Sequence, residues 1–294
     1  MIEFNSATCN SCGNCAVICP RFVFEHIERD GKPRTELASE RIDVCIACGH
    51  CMALCATGSI RVDDLDPAAF RPVEPARVEP QELLRLLENR RTIRRYKATP
   101  VAREVLDRVV QAARTAPTPN SKGVGIIVID RAEPAKELSH HAYALYEDLL
   151  KASKHPIARH VIKHRVGAAR LTAMRNFVFP GLRWYINWYR AGRSDEIRRD
   201  APALLLFHGC VTDPSVDESC FVAVTYAMLM AECLGLGSVI NGLVAPACNR
   251  SPAARKLIGL PDDHEVYGAL SLGYPLLKFK KTIPRAGGTV RYLE

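Results

Sequence analysis

The sequence predicts a protein of mixed helix and sheet, α+β or α/β, in which a small cysteine-rich domain precedes a larger one. Three observations support this prediction. Eight of the twelve cysteines lie within the first 55 residues, in a repeated spacing. Residues 62–80 are rich in proline and acidic side chains, which is typical of a linker. Beyond them, helical patterns are interleaved with short apolar runs of strand length.

The composition is that of an ordinary globular protein. The chain has 294 residues, of which 48% are hydrophobic and 24% charged. No run of residues approaches the roughly 20 apolar residues that cross a bilayer. The first 15 residues lack the basic and apolar regions of a secretory signal. We therefore expect a cytoplasmic protein without a membrane span.

The net charge of +8 arises beyond residue 61, because the first 61 residues are slightly acidic. A basic excess can indicate a nucleic-acid partner. We favour a solvated basic surface, together with a few arginines that bind a phosphate-bearing cofactor, and we expect no nucleic acid.

The cysteine spacing is the strongest signal in the chain. The motif C-x2-C-x2-C-x3-C occurs twice, as Cys9, Cys12, Cys15, Cys19 and as Cys45, Cys48, Cys51, Cys55. A cubane iron–sulfur cluster needs four thiolates that converge on its iron atoms. A zinc site needs only four ligands and does not call for two complete runs, and disulfides are rare in a reducing compartment. The pattern therefore predicts two [4Fe-4S] clusters.

This segment resembles the bacterial-type ferredoxins that hold two [4Fe-4S] clusters. In such proteins the fourth cysteine of each run binds the other cluster. The resemblance implies Cys9, Cys12, Cys15 and Cys55 as ligands of one cluster, and Cys19, Cys45, Cys48 and Cys51 as ligands of the second. Ala56 stands where these ferredoxins often have proline, which we interpret as a local change of turn.

Elements of the larger domain follow from its apolar periodicity and its prolines. Pro80 begins a short helix, and a second helix is predicted to begin at Thr99-Pro100 and to end at Pro117. The buried strands are predicted at Val124–Ile129, Ala203–Phe207 and Val266–Leu272. Residues 221–234 are apolar on nearly all sides, which indicates a helix buried in the core or in a dimer interface.

Five motifs follow one another in the order found in the FMN-dependent nitroreductase superfamily, which residues 81–285 resemble. They are RRTIRRY at 90–96, APTPNS at 116–121, DEIRRDAP at 195–202, GLG at 235–237, and LGYP at 272–275 with the downstream Pro284-Arg285. The resemblance implies an α+β fold: a ferredoxin-like domain at 1–62, a linker at 63–80, and a nitroreductase-like domain at 81–294. The last would be a three-layer α/β/α structure with a mainly antiparallel central sheet.

The resemblance also implies an FMN site. Its candidate residues are Arg90, Arg91, Thr92, Arg94, Asn120, Asn241, Gly242, Lys281 and Arg285. Arg90, Arg91, Thr92 and Arg285 would hold the phosphate and ribityl chain, with Lys281 as an additional candidate for the phosphate. Arg94 would lie near the pyrimidine edge, Asn120 would bond the ring or ribityl chain, and the backbone of Asn241-Gly242 would approach flavin N5. No individual catalytic residue is identified.

These features predict an iron–sulfur flavoprotein oxidoreductase. Electrons would pass from an external donor through the two clusters to FMN, and on to a small organic substrate such as a nitroaromatic, a quinone or an activated double bond. The donor would be reduced ferredoxin, flavodoxin or NAD(P)H, and the resemblance implies a homodimer. The alternative is a non-catalytic electron-transfer subunit or redox sensor, which would have no substrate cavity over the flavin.

Overall fold

The computed structural model describes residues 2–63, 65–119, 123–284 and 287–293, apart from the side chains of Arg159 and Arg165. The chain forms two compact units, Met1–Arg77 with Thr118–Lys122, and Val78–Pro117 with Gly123–Glu294. Within these described ranges, every helix is too short or too polar to cross a membrane.

The first unit is built from two antiparallel strand pairs and two five-residue helices. Its elements are β1 (Ile2–Phe4), α1 (Asn14–Ile18), β2 (Phe24–Arg29), β3 (Lys32–Leu37), α2 (His50–Leu54) and β4 (Ile60–Val62). Strand β1 pairs with β4, and β2 pairs with β3. The apolar side chains of Val23, Phe24, Ile60 and Val62 form a small buried core, against which several of the cysteines pack.

The second unit consists of nine α-helices and four strands in the part of the chain that the structure describes. They are α3 (Pro80–Asn89), α4 (Arg103–Arg114), β5 (Gly125–Ile129), α5 (Ala132–Ala152), α6 (Pro156–Val166), α7 (Ala168–Ala173), α8 (Phe179–Arg190), β6 (Ala203–Cys210), α9 (Val216–Cys233), β7 (Gly237–Ile240), α10 (Val244–Arg250), α11 (Pro252–Ile258) and β8 (His264–Gly273). A π-helical turn, Met174–Val178, joins α7 to α8.

The four strands form one sheet in the order β5-β6-β8-β7, and all of its described pairs are antiparallel. The side chains of β6 alternate between two buried clusters. Leu204 and Leu206 pack on one face, with residues of α5, α8, α10 and α11. Leu205 and Phe207 pack on the other, with residues of α4 and α9. The sheet thus lies between two helical layers, which confirms the predicted three-layer arrangement.

The predicted start of the second helix was wrong. Helix α4 begins at Arg103, after Ala102, which has an extended backbone. The side chain of Val101 is buried in the core ahead of the helix. Burial of this side chain from an extended segment accounts for the later start, which the Thr-Pro signal alone could not show. The three strands were located correctly, although β6 and β8 run beyond the predicted ends.

Helix α9 carries apolar side chains on both sides, and the described part of the chain covers one of them more fully than the other. Its inner face, which includes Cys220, Ala223 and Val224, is buried against the sheet. On its outer face, Phe221 is 48% exposed and Tyr226 is 37% exposed. The nearly all-apolar pattern of this helix therefore arises from two apolar surfaces, one buried in the core and one partly exposed.

Candidate cluster and flavin sites

The eight repeated cysteines come together in two groups of four. Cys19, Cys45, Cys48 and Cys51 line one small cavity. Cys9, Cys12, Cys15 and Cys55 line a second cavity, which Cys51 also touches. None of them forms a disulfide. This is the crossed grouping that the ferredoxin resemblance implies, and the ligand set itself stays a prediction.

The backbone φ angles at equivalent positions around the two groups of cysteines are similar. Gly13 and Gly49, which precede α1 and α2, have φ values of 74° and 75°. Ser11 and Ala47 also have positive φ, 56° and 50°. A positive φ is costly for residues other than glycine, so its recurrence at equivalent positions indicates that both loops are shaped for the same purpose.

Backbone N–H groups donate to the first and last sulfur of each run. The bonds are Ser11 N to Cys9 Sγ at 3.3 Å, Val23 N to Cys19 Sγ at 3.4 Å, Ala47 N to Cys45 Sγ at 3.4 Å, and Ser59 N to Cys55 Sγ at 3.3 Å. Such bonds stabilise the negative charge of thiolates and help to set the reduction potential of a cluster.

The third cysteine of each run is buried or half-buried. Burial raises the pKa of Cys15, and it raises the pKa of Cys51 to about 11. At Cys55 burial acts in the same direction, but hydrogen bonds from Thr57 and Ser59 outweigh it and the pKa is lowered. Buried thiols of this kind ionise readily only beside a compensating positive charge, as bound iron provides.

The arginine-rich segment of the second unit runs as an extended chain beside β7. Thr92 pairs with Ser238 in a parallel bridge, and the N–H of Ile93 donates to the carbonyl of Ser238 at 2.9 Å. A Cβ on Gly237 would lie 2.5 Å from the Ile93 side chain. Gly237, the second glycine of the GLG motif, therefore permits the close approach of these two segments.

A cavity of about 430 Å³ opens on one side of this segment. It is lined by Arg91, Ile93, Glu232, Gly235–Gly237 and a basic stretch that contains Lys278, Lys280 and Lys281. Arg91 is only 6% exposed, and its Nε has no hydrogen-bond partner among the residues that the structure describes. A buried donor without a partner is costly. Together with the lysines, it makes the cavity chemically suited to an anionic group such as a phosphate.

Glu232 is the acidic side chain of this cavity. Burial raises the pKa of its carboxyl group, and the nearby Arg90 and Arg91 oppose that shift. Arg91 also donates from Nη1 to the carbonyl of Arg90 at 2.7 Å, which fixes the guanidinium in place.

The other residues that were predicted to bind the flavin lie at different positions from this cavity or outside the described residues. Arg90 and Thr92 are half-buried and Arg94 is exposed. In an extended segment, these three alternate with the cavity-lining Arg91 and Ile93. Asn120 and Arg285 lie outside the described residues.

Asn241 and Gly242 follow β7 and line a separate cavity of about 430 Å³. The Asn241 side chain is committed to the fold, because its amide donates to the carbonyl of Ile197 and to Ser271 Oγ. Its backbone N–H donates to the carbonyl of Ala269 at 2.8 Å. Gly242 is exposed. A backbone N–H that donates to a flavin at this corner would therefore come from Gly242.

Sequence reasoning missed a buried ionic network in the DEIRRDAP motif. Glu196 accepts two hydrogen bonds from the guanidinium of Arg95, at 2.7 and 3.2 Å, and also pairs with Arg199. Asp195 accepts from the N–H groups of Ile197 and Arg198. Burial raises the pKa of Glu196, but Arg95, Ser194 and Arg199 outweigh it, so that the pKa is lowered. The sequence feature that could have revealed this network is the run of charged residues just ahead of a buried strand.

Comparison with known proteins decides the family. Residues 87–274 match the model of the nitroreductase family. This chain belongs to the nitroreductase family. Residues 8–59 match the model of the 4Fe-4S dicluster domain, which confirms the prediction of two [4Fe-4S] clusters. The α+β fold class is confirmed as well.

Solved nitroreductases share the fold of this family member. One from Bacteroides fragilis, solved with bound FMN, is 19% identical, covers 72% of this chain and 99% of its own, and has a TM-score of 0.55. Another with bound FMN, from Desulfitobacterium hafniense, is 18% identical, covers 72% of this chain and 98% of its own, and has a TM-score of 0.52.

A curated relative from Archaeoglobus fulgidus is named provisionally as an NADH dehydrogenase/NAD(P)H nitroreductase. It is 43% identical over 58 residues, which are 20% of this chain. The match spans 33% of the relative's own length.

Proposed function

We propose that this nitroreductase-family protein is an iron–sulfur flavoprotein oxidoreductase. It transfers electrons from an external donor through two [4Fe-4S] clusters to FMN, and on to a small organic acceptor. The observation that supports this most is the union, in one chain, of a nitroreductase domain with a dicluster module. In the proposed organisation, residues 1–62 form the cluster domain, 63–80 a linker and 81–294 the flavin domain.

The proposed ligands of the first cluster are Cys9, Cys12, Cys15 and Cys55, and those of the second are Cys19, Cys45, Cys48 and Cys51. The two cavities lined by these groups support the assignment. The repeated N–H to sulfur bonds support it further, because they would offset the negative charge that four thiolates bring to each cluster.

The proposed phosphate contacts are Arg91 and Lys281, which line the cavity. Arg90, Thr92 and Arg285 are proposed for the ribityl chain, Arg90 and Thr92 from the other side of the extended segment. The unpartnered Nε of Arg91 and the lysines around the cavity support this proposal. Thr92 pairs with Ser238, and the two segments run parallel. The chain therefore leads from Thr92 to Arg94 in the same direction as it leads from Ser238 to Gly242. This supports a flavin ring near Arg94 and Gly242, with Asn120 as a further contact. FMN, when bound, takes up single electrons and can pass on a pair.

Arg91→Ala is expected to weaken FMN binding by about ten- to a hundred-fold, because it removes a charge-assisted contact worth roughly 1.5–3 kcal/mol. Lys281→Ala should weaken it less, since this side chain is exposed. The dissociation constant is measured by titrating flavin-free protein with FMN, while cluster absorbance reports the intact first unit. Arg108→Ala, on the exposed side of α4, is the control. Unchanged affinity in both Arg91→Ala and Lys281→Ala would mean that the phosphate binds elsewhere.

The donor and the acceptor are tested together in a screen under anaerobic conditions. The protein is reduced with ferredoxin, flavodoxin or NAD(P)H, and then mixed with a nitroaromatic, a quinone or an activated alkene. We expect rapid flavin reduction by a one-electron protein donor and reoxidation by at least one acceptor class. If no acceptor reoxidises the flavin, the protein is an electron-transfer subunit or sensor instead. We propose a cytoplasmic location, where such donors are found.

We also propose a homodimer that buries the outer face of α9. The large aromatic side chains of Phe221 and Tyr226 are exposed on this outer face, and their exposure supports the proposal. Sedimentation of the FMN-loaded protein should show a dimer, and Phe221→Glu with Tyr226→Glu should shift it to the monomer. A monomeric parent protein with full FMN occupancy would contradict the proposal.

A further inference from the structure

A cluster of side chains that can bind a metal lies at one end of the β6–β8 pair, outside the residues assigned to the iron–sulfur clusters and FMN. Cys210 Sγ, a carboxylate oxygen of Asp263 and a ring nitrogen of His264 all lie within 4.8 Å of one another. Cys210 Sγ is 3.5 Å from Asp263 Oδ2. The Nδ1 atom of a second histidine, His208, is 2.9 Å from Nδ1 of His264. Three groups that can act as metal ligands thus converge, and a fourth, His208, lies beside one of them.

The strand register brings these residues together. Cys210 of β6 is directly opposite His264 of β8. His208 lies two residues before Cys210, so that both side chains point to the same face of β6. Asp263 immediately precedes β8. His208, Cys210 and His264 continue the face of the sheet that carries Leu204, Leu206 and Val266, beyond the end of its apolar core.

The backbone that presents these side chains is held firmly in place. The N–H of Val211 donates to the carbonyl of Asp263 at 2.9 Å. The guanidinium of Arg255 donates to the carbonyls of Pro261 and His264, at 2.8 and 3.1 Å. A Cβ on Gly125 would lie only 2.3 Å from the His208 ring, so the ring rests against bare backbone. The loop and the ring are therefore positioned before any ion binds, which lowers the cost of binding.

We propose that Cys210, His208, His264 and Asp263 form a zinc site that joins the ends of β6 and β8. One sulfur, two imidazole nitrogens and one carboxylate oxygen are a ligand set typical of tetrahedral Zn²⁺. Magnesium and calcium prefer oxygen ligands only. With Zn–N bonds of about 2.0–2.1 Å, the two ring nitrogens would move apart by roughly half an ångström. The Cys210 thiol releases its proton on binding, because the thiolate is the ligand.

The test uses the full-length protein with its clusters in place, so that cluster cysteines are not free to take up zinc. After anaerobic dialysis against micromolar Zn²⁺ and then against buffer, metal analysis should find about one zinc per chain in addition to the iron, as expected for one structural site. X-ray absorption at the zinc edge should show one sulfur neighbour and three nitrogen or oxygen neighbours. A zinc ion bound by cluster cysteines would show four sulfurs instead.

His264→Ala and Cys210→Ser should each lose the zinc while keeping the iron content of the parent protein. Cys233→Ser, which alters an exposed cysteine of α9, is the matched control and should retain zinc. Asp263→Asn changes only an exposed loop side chain and should weaken retention without affecting folding. The proposal is overturned if the parent protein retains no zinc. It is equally overturned if the retained zinc has four sulfur neighbours or persists unchanged in His264→Ala and Cys210→Ser.

Discussion

Replacing Cys45 and Cys48 with alanine is expected to abolish the reduction of FMN by a one-electron protein donor. Both residues line the cavity proposed for the second cluster, and a cubane without two of its four thiolates does not persist. The flavin unit has its own apolar cores on both faces of its sheet, so it should stay folded with FMN bound. The variant should therefore still pass electrons from chemically reduced FMN to the acceptor.

Stopped-flow absorbance measures the two half-reactions separately. The first trace follows flavin reduction by reduced ferredoxin or flavodoxin, and the second follows reoxidation by the acceptor. Cys233→Ala serves as the control and should behave like the parent protein in both. If the double variant is reduced by the protein donor at the parent rate, the clusters do not lie on the electron path.

Glu196→Ala should destabilise the flavin unit by about 1.5–3 kcal/mol, because it removes charge-assisted hydrogen bonds to a buried carboxylate and leaves the partly buried Arg199 without its acidic partner. The Glu196 side chain is only 5% exposed, and that of Arg199 is 18% exposed. Arg95 is more exposed and will recover part of its solvation. Asp148→Ala removes a comparable ion pair between exposed side chains, and should change stability by only about 0.5 kcal/mol.

The free energy of unfolding is obtained from guanidinium denaturation followed by tryptophan fluorescence. Both tryptophans of the chain, Trp184 and Trp188, belong to the flavin unit, so the signal reports that unit alone. Equal losses of stability in Glu196→Ala and Asp148→Ala would show that the buried network contributes no more to the free energy of unfolding than an exposed ion pair does.

The acid dependence of this stabilisation has a defined sign. The pKa of Glu196 is lower in the folded protein than its usual value of 4.5. Its contribution is therefore present above that value and is lost as the pH falls through the folded pKa. Burial raises the pKa of Asp200, which acts in the opposite direction, and the negative charge of Glu196 adds to this shift, so that the shift becomes smaller in Glu196→Gln. The stability difference between the parent protein and Glu196→Gln should shrink on acidification.

Local patterns were sufficient for much of the fold and of the cluster site. The cysteine runs are complete within short segments, so their spacing alone predicted two groups of four. The strands around Leu205 and Leu270 were visible because a fully buried strand is apolar on both faces. The RRTIRRY motif drew attention to Arg91, and the structure adds that its Nε is buried without a hydrogen-bond partner among the described residues.

Long-range contacts account for what the sequence did not show. Burial of Val101 delays the start of α4, and Asn241 holds the carbonyl of Ile197, far away in the chain. Cys210 and His264 are far apart in the sequence, and their proximity depends on the register of two strands. The same holds for Arg95 and Glu196, whose ion pair joins distant segments.

The most direct test of the two-cofactor proposal is the composition of the anaerobically purified protein. Iron, acid-labile sulfide and FMN should be measured in the same sample. We expect about eight iron atoms and about eight sulfides per chain, as two four-iron clusters require, together with stoichiometric FMN. A protein that contains zinc in place of iron, or that retains no FMN while correctly folded, would contradict the proposal.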